Sequence, residues 1–162
     1  MGNVRVIVEK ILFDPNVGAS VMLLKEDDGE RRLPVWIGPP EALSIAMALE
    51  KVTFKRPMTH DLLFSILGSL DVEIDWVKIT DFQEGTYFAT MKLNVSGDTV
   101  QIDARPSDAI AMATRANSPI FVEEKVFVDT MEIGRKTLED IEGFEENILE
   151  DLPNEVFGKY KM

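Results

Sequence analysis

The feature that most constrains this chain is a repeated order of signals. Ile45-Ala-Met-Ala48 returns as Ile110-Ala-Met-Ala113, 65 positions later, and each copy follows three strand-like runs separated by turn residues. The first pass runs from the β-branched stretch Val4–Phe13, through the turn cluster Asp14-Pro15-Asn16, to the apolar run Ala19–Lys25. Asp27-Asp28-Gly29 then turns the chain into Arg32–Ile37, where Pro34 cannot donate to a ladder and predicts an edge strand. A helix opens at Pro40, with Glu41 in its first turn and Ala42, Ile45, Ala46 and Leu49 at helical spacing. The second pass reads as strand Val72–Ile79, turn Asp81–Gly85, strand Thr86–Val95, turn Ser96-Gly97-Asp98 and strand Val100–Asp103. Its helix runs from Pro106 through Ala109, Met112 and Ala113 to about Asn117.

One such unit has a greasy sheet face that a single helix cannot cover, so two copies are expected to share one core. The expected fold is therefore α+β: a duplicated β-β-β-α unit forming a mainly antiparallel sheet with helices packed on it. The repeats span about 4–50 and 72–117, within one domain at 1–136. Between them a further helix is expected from an N-cap at Thr59, with Leu62, Leu63, Ile66 and Leu67 as its apolar face and Gly68 as its stop. After them, Pro119–Val122 and Val126–Val128 read as short strands. Residues 137–162 read as an acidic helix capped by Thr137, reaching about Leu149, and a loose tail.

Composition narrows the chemistry. The absence of cysteine excludes thiol nucleophiles, zinc–thiolate sites and disulfides. No stretch has the length of a membrane span or the form of a signal peptide, so a cytoplasmic protein is expected. The formal charge of −12 opposes nucleic-acid binding except at a local basic site. Half of that excess is concentrated at the end: residues 137–162 carry two lysines and eight acids, net −6.

No phosphate loop, dinucleotide fingerprint, His-Glu-x-x-His or nucleophile elbow is present. Three charged clusters remain. In Arg56-Pro-Met-Thr-His60-Asp61 a histidine and an acid at a helix start suit a general base and a metal ligand. The plainer reading makes Thr59 a cap and Asp61 a dipole partner. In Asp103-Ala-Arg105-Pro-Ser107-Asp108 a strand hands over to a helix. Free N–H groups and Arg105 suit a phosphate there, and Asp103 with Asp108 suit a hard divalent ion. Asp108 and Arg115 would otherwise only complement the helix dipole. Glu41 stands at the equivalent point of the first repeat, with Lys51, Lys55 and Arg56 beyond it as the best basic patch. Trp36, Trp76, Phe82, Tyr87 and Phe88 can stack bases, but at strand positions they serve packing first.

The same clusters carry a resemblance. Leu33-Pro-Val-Trp-Ile-Gly38, Glu41-Ala42, Arg56-Pro57, Thr59-His-Asp-Leu-Leu63, Phe88-Ala89, the run Ile102-Asp-Ala-Arg-Pro-Ser-Asp-Ala-Ile-Ala111, Arg115 and Pro119-Ile-Phe-Val122 resemble the signature of the bifunctional nuclease domain family across about 5–130. The resemblance implies a nuclease acting on DNA and RNA, assisted by Mg²⁺ or Mn²⁺ held at Asp103 and Asp108. The implied site comprises Glu41, His60, Asp61, Asp103 and Asp108 as catalytic groups, with Arg56, Arg105, Ser107 and Arg115 on phosphate. The acidic surface points to weak binding of single strands. The alternative is a non-catalytic regulatory or interaction module whose charged residues fix turns. Exposed sheet edges and several aromatics lead either reading to expect a homodimer or other homo-oligomer.

Overall fold

A computed structural model describes residues 2–14, 16–144 and 146. The first pass forms β1 (Asn3–Asp14), β2 (Ala19–Glu26), β3 (Arg32–Ile37) and α1 (Pro39–Leu49). Helix α2 (Thr59–Ser69) follows, and then β4 (Val72–Gln83), β5 (Thr86–Val95), β6 (Asp98–Ala104) and α3 (Pro106–Ala116). The chain continues through β7 (Ile120–Glu123), α4 (Glu124–Asp129) and α5 (Met131–Asp140). The α+β class and the order of three strands and a helix, met twice, are as the sequence pattern requires.

The seven strands form one mixed sheet in the order β3-β2-β1-β7-β4-β5-β6. The two sets of three strands flank β7, which pairs antiparallel with β1 and parallel with β4. All other neighbours are antiparallel. Pro34 sits on edge strand β3, where its missing N–H breaks no ladder. The opposite edge is β6.

Alternation decides the core. Met22 and Leu24 of β2, Val77 and Ile79 of β4, and Met91 and Leu93 of β5 point to one face. There they meet Ala42, Ile45 and Ala46 of α1 and Ala109, Ile110, Met112 and Ala113 of α3 in a single cluster. Small residues at the α1–α3 contact let the helices approach closely, Met112 fills space in that cluster, and Met47 is buried as well. On the other face Leu12, Val21 and Leu23 make a smaller cluster with Ile141, closed by Leu138 and Phe144.

Several expectations are corrected. Strand β4 extends to Gln83, so the β4–β5 turn is the two-residue Glu84-Gly85, both at positive φ, as tight hairpins require. Val126–Val128 is helical within α4, because the chain turns away from the sheet directly after β7. Thr137 caps nothing: it lies inside α5, and its hydroxyl donates to the Ile133 carbonyl. Helix α5 runs across position 136 and ends at Asp140, while 147–162 lie outside the described residues. In α2 the N-cap is Met58, whose N–H donates to Asp61 Oδ2 at 3.1 Å, with Thr59 already helical. The helix passes through Gly68 and stops at Leu70, followed by Asp71 in the left-handed region. Of its expected apolar face only Leu67 packs on the core, and α2 buries no residue.

Candidate functional site

The starts of α1, α2 and α3 are brought together, and their polar side chains form one connected chain. It begins at the surface with Arg105, the N-cap of α3. Arg105 Nε donates to Asp108 Oδ2 at 2.7 Å, and its Nη2 to Glu41 Oε1 of α1 at 3.3 Å. Asp108 Oδ1 meets His60 Nε2 of α2 at 2.9 Å, and His60 Nδ1 meets Ser44 Oγ of α1 at 2.7 Å. Ser44 Oγ accepts from Arg115 Nη2 at 3.1 Å, and Arg115 Nε donates to Asp61 Oδ1 at 2.8 Å. Further donation to the Ala111 and Ser44 carbonyls completes the Arg115 fork.

Donor arithmetic orders the protons along this chain. Arg115 only donates, so Ser44 Oγ accepts from it and directs its own hydrogen to His60 Nδ1. Neutral His60 then carries its proton on Nε2 and donates it to Asp108, an assignment inferred from the network rather than seen as hydrogens. The hydroxyl–imidazole–carboxylate order resembles a catalytic triad, but Ser44 is buried and occupied by Arg115, so it is no exposed nucleophile.

Burial divides the network. The Arg115 and His60 side chains are 7% and 13% exposed, whereas Arg105 is 65% exposed. Desolvation is the largest single influence on Asp108 and opposes its ionisation. Hydrogen bonds from Arg105 and His60 outweigh it together and hold the carboxyl below the usual carboxylate range. Arg105 shifts upward, chiefly through its hydrogen bond to Asp108.

Beside Arg105 lies a cleft of about 260 Å³, lined by Val35 to Gly38 at the end of β3, Gly85 to Tyr87 at the β4–β5 turn, and Arg105 to Ser107. Residues following the two opposite sheet edges thus share one cleft. Ser107 is 6% exposed, and its hydroxyl has no hydrogen-bond partner among the described residues. Pro106 has no N–H, and the Ala109 N–H closes the first helical turn onto Arg105, leaving the Ser107 and Asp108 N–H groups as the helix's open donors.

Of the expected site residues, Glu41, His60, Asp61, Arg105, Asp108 and Arg115 are therefore joined, and Ser107 lies beside them. Arg56 lies exposed in the segment before α2, and Asp103 lies exposed on β6, neither in an ion pair among the described residues. By strand alternation Asp103 faces away from the helix-bearing side that Ala104 and Ile102 share. Ser44 went unsuspected. The available signal was a polar residue where the second repeat has Ala109, 65 positions on, in an otherwise apolar stripe.

The donors do not fit the Mg²⁺ or Mn²⁺ expected at Asp103 and Asp108. Both Asp108 oxygens are engaged by His60 and Arg105, Asp103 stands apart, and among the described residues no three acids or histidines converge as a metal site. Among the described residues no helix is long and apolar enough to cross a membrane.

The chain is similar to proteins of bacteria and plants. An uncharacterized protein of Mycobacterium tuberculosis is 40% identical over 126 residues, 78% of this chain and 74% of that one. Bifunctional nuclease 2 of Arabidopsis thaliana is 30% identical over 109 residues, and Bifunctional nuclease 1 of Oryza sativa subsp. japonica 24% over 110. These stretches take in 65% and 66% of this chain, and 33% of each plant protein. Residues 22–133, which hold the whole Glu41–Arg115 network, match the model of the bifunctional nuclease domain. The chain belongs to the bifunctional nuclease domain family.

Proposed function

We propose that the chain is a nuclease-like phosphodiesterase whose reaction centre is the exposed rim of the α1–α2–α3 network. The observation that carries this reading is Arg105: a guanidinium fixed by two carboxylates, open to solvent, and set beside a cleft holding a partnerless hydroxyl. Phosphate geometry suits that set. The free donors of Arg105, the Ser107 hydroxyl and the open N–H groups at the start of α3 would hold the non-bridging oxygens and stabilise the charge that grows on them. The family relationship and the names of the plant relatives support the same class of reaction.

Asp108 is the proposed proton acceptor at the rim, and His60 positions it. The Asp108 carboxylate, depressed below its usual range, is ionised at neutral pH and is a weak base by itself. The Nε2–H of His60, backed by Ser44 and Arg115, orients that carboxylate and stabilises its charge, so Asp108 is the group that would take a proton from an attacking water at the rim. DNA and RNA are the proposed substrates. A chain of net charge −12 with few free cations near the cleft favours weakly held single strands over a duplex.

The test is digestion of single-stranded DNA and RNA by wild type, Arg105→Ala and His60→Ala, with Mg²⁺, with Mn²⁺ and with chelator. Cutting by wild type that falls at least tenfold in both variants supports the proposal. Equal cutting by all three marks the activity as foreign and ends it.

A second reading has its own observation. The inner half of the network is dry, and a strut that ties three helix starts together needs no substrate. If the protein is a non-catalytic interaction module, Arg105→Ala and Arg115→Ala will differ only in stability, and no phosphodiester will be cut.

A further inference from the structure

Two elements, α2 and β6, bury no residue at all, whereas α1 and α3 bury five and seven. On α2 and its flanks Met58, Leu62, Leu63, Phe64, Ile66 and Leu70 are between 38% and 66% exposed. On β6 Val100 and Ile102 are 44% and 41% exposed. Their cross-strand partners Leu93 and Met91 are buried beneath the helices, so Val100 and Ile102 lie on the helix-bearing face just where the helix layer stops. Helix α2 lies on that face too, anchored to the core by Leu67 and packed on α3 and β4. So many half-exposed aliphatic and aromatic groups on one side of a soluble fold mark an interaction surface.

We propose that two copies of the chain meet there, α2 of one against the uncovered face of β6 of the other, and reciprocally about a two-fold axis. Charge selects this occupant. Copies carrying −12 each repel, and can associate only where acid is scarce or matched. The ionisable groups of α2 are His60 and Asp61, both turned inward to Asp108 and Arg115. The segment entering α2 offers exposed Lys51, Lys55 and Arg56, around the single acid Glu50, and none of the three cations is ion-paired among the described residues. Strand β6 opens with exposed Asp98 on the same face as Val100, and exposed Asp71 follows Leu70 at the far end of α2. A two-fold arrangement can therefore set the basic entry of each α2 beside the acidic start of the other copy's β6. The chain's own C-terminal segment departs from elsewhere: Phe144 packs on Trp36 and Glu146 on Lys10, beside the smaller cluster on the other face.

Sedimentation velocity of the full chain across a wide concentration range tests this independently of any nuclease activity. The expected mass is twice 18.2 kDa. The double substitution Leu62→Glu/Ile66→Glu, and separately Ile102→Lys, should each raise the dimer dissociation constant on the order of a hundredfold while leaving the far-ultraviolet circular dichroism unchanged. If the helix variant fails to fold, Ile102→Lys decides alone. Wild type that sediments as a monomer throughout overturns the proposal and leaves the surface to a lipid or a foreign protein. A dimer that survives either folded variant also overturns it, since the copies then meet elsewhere.

Discussion

Arg115 shows how one side chain can hold three helices. Its fork reaches Asp61 of α2, Ser44 of α1 and the Ala111 carbonyl of its own helix while only 7% exposed. Removing it strands the Asp61 carboxylate and leaves Ser44 only its bond to His60, so Arg115→Ala should cost about 3 kcal/mol, the low end for a broken buried pair because Asp61 remains partly wet. Urea denaturation measures it, and a loss below about 1 kcal/mol would show that the network adds little to stability. Ser44→Ala is a finer probe. It removes the donor to His60 Nδ1 while Asp108 still accepts from Nε2, so nitrogen NMR should show the Nε2–H tautomer kept and the Nδ1 resonance shifted, at a cost of about 1 kcal/mol for the lost hydrogen bond. An Nδ1–H tautomer in the wild type would refute the inferred proton order. Asp108 sets a pH limit. Its folded pKa lies below the ordinary 3.8, as those of Glu9 and Glu26 lie below 4.5 through hydrogen bonds from Arg32 and Arg31. Depressed carboxyls stabilise the fold above their ordinary pKa and lose that contribution as pH falls through the folded value. The melting temperature should therefore hold level above about pH 5 and drop below about pH 4.

At the level of elements, the turns carry the avoidable strain. Glu84 sits at φ 49° beside Gly85 at φ 79°, a geometry that favours Asn-Gly. Glu84→Asn should stabilise the protein by about 0.5–1 kcal/mol, since asparagine tolerates the left-handed region better than glutamate. Thermal melting checks it, and a destabilised variant would mean that Glu84 has a role not visible in its contacts. The helices contrast in another way. Prolines open α1 and α3, whose apolar stripes enter the core, so pattern alone located them and their inner residues. Helix α2 has an equally apolar sequence but lies outermost, because the sheet face is already covered by the other two. A hydrophobic period says that a face wants covering, not that the same chain will cover it.

At the scale of the molecule, the acidic total and the small basic rim set how a substrate could be held. Each phosphate neutralised on a single strand contributes a slope of about −0.7 in log K against log salt, so two contacts predict a slope near −1.4. Fluorescence anisotropy with a short single-stranded oligonucleotide measures it. A slope several times steeper would mean that the exposed Lys51, Lys55 and Arg56 also take phosphates.

The sequence by itself determined the local matters: the places of the seven strands and of α1, α2 and α3, the edge position of Pro34, the repeated three strands and a helix, and the identity of most polar groups that now touch. These follow from period, turn chemistry and the missing N–H of proline, which act within a few residues. Only the tertiary structure decided which of those groups meet. Packing α1 against α3 brought Ser44 to His60 and Glu41 to Arg105, and strand alternation turned Asp103 away. It also left α2 uncovered, because coverage depends on which layers compete for one sheet face, and no short-range pattern in the chain encodes that competition.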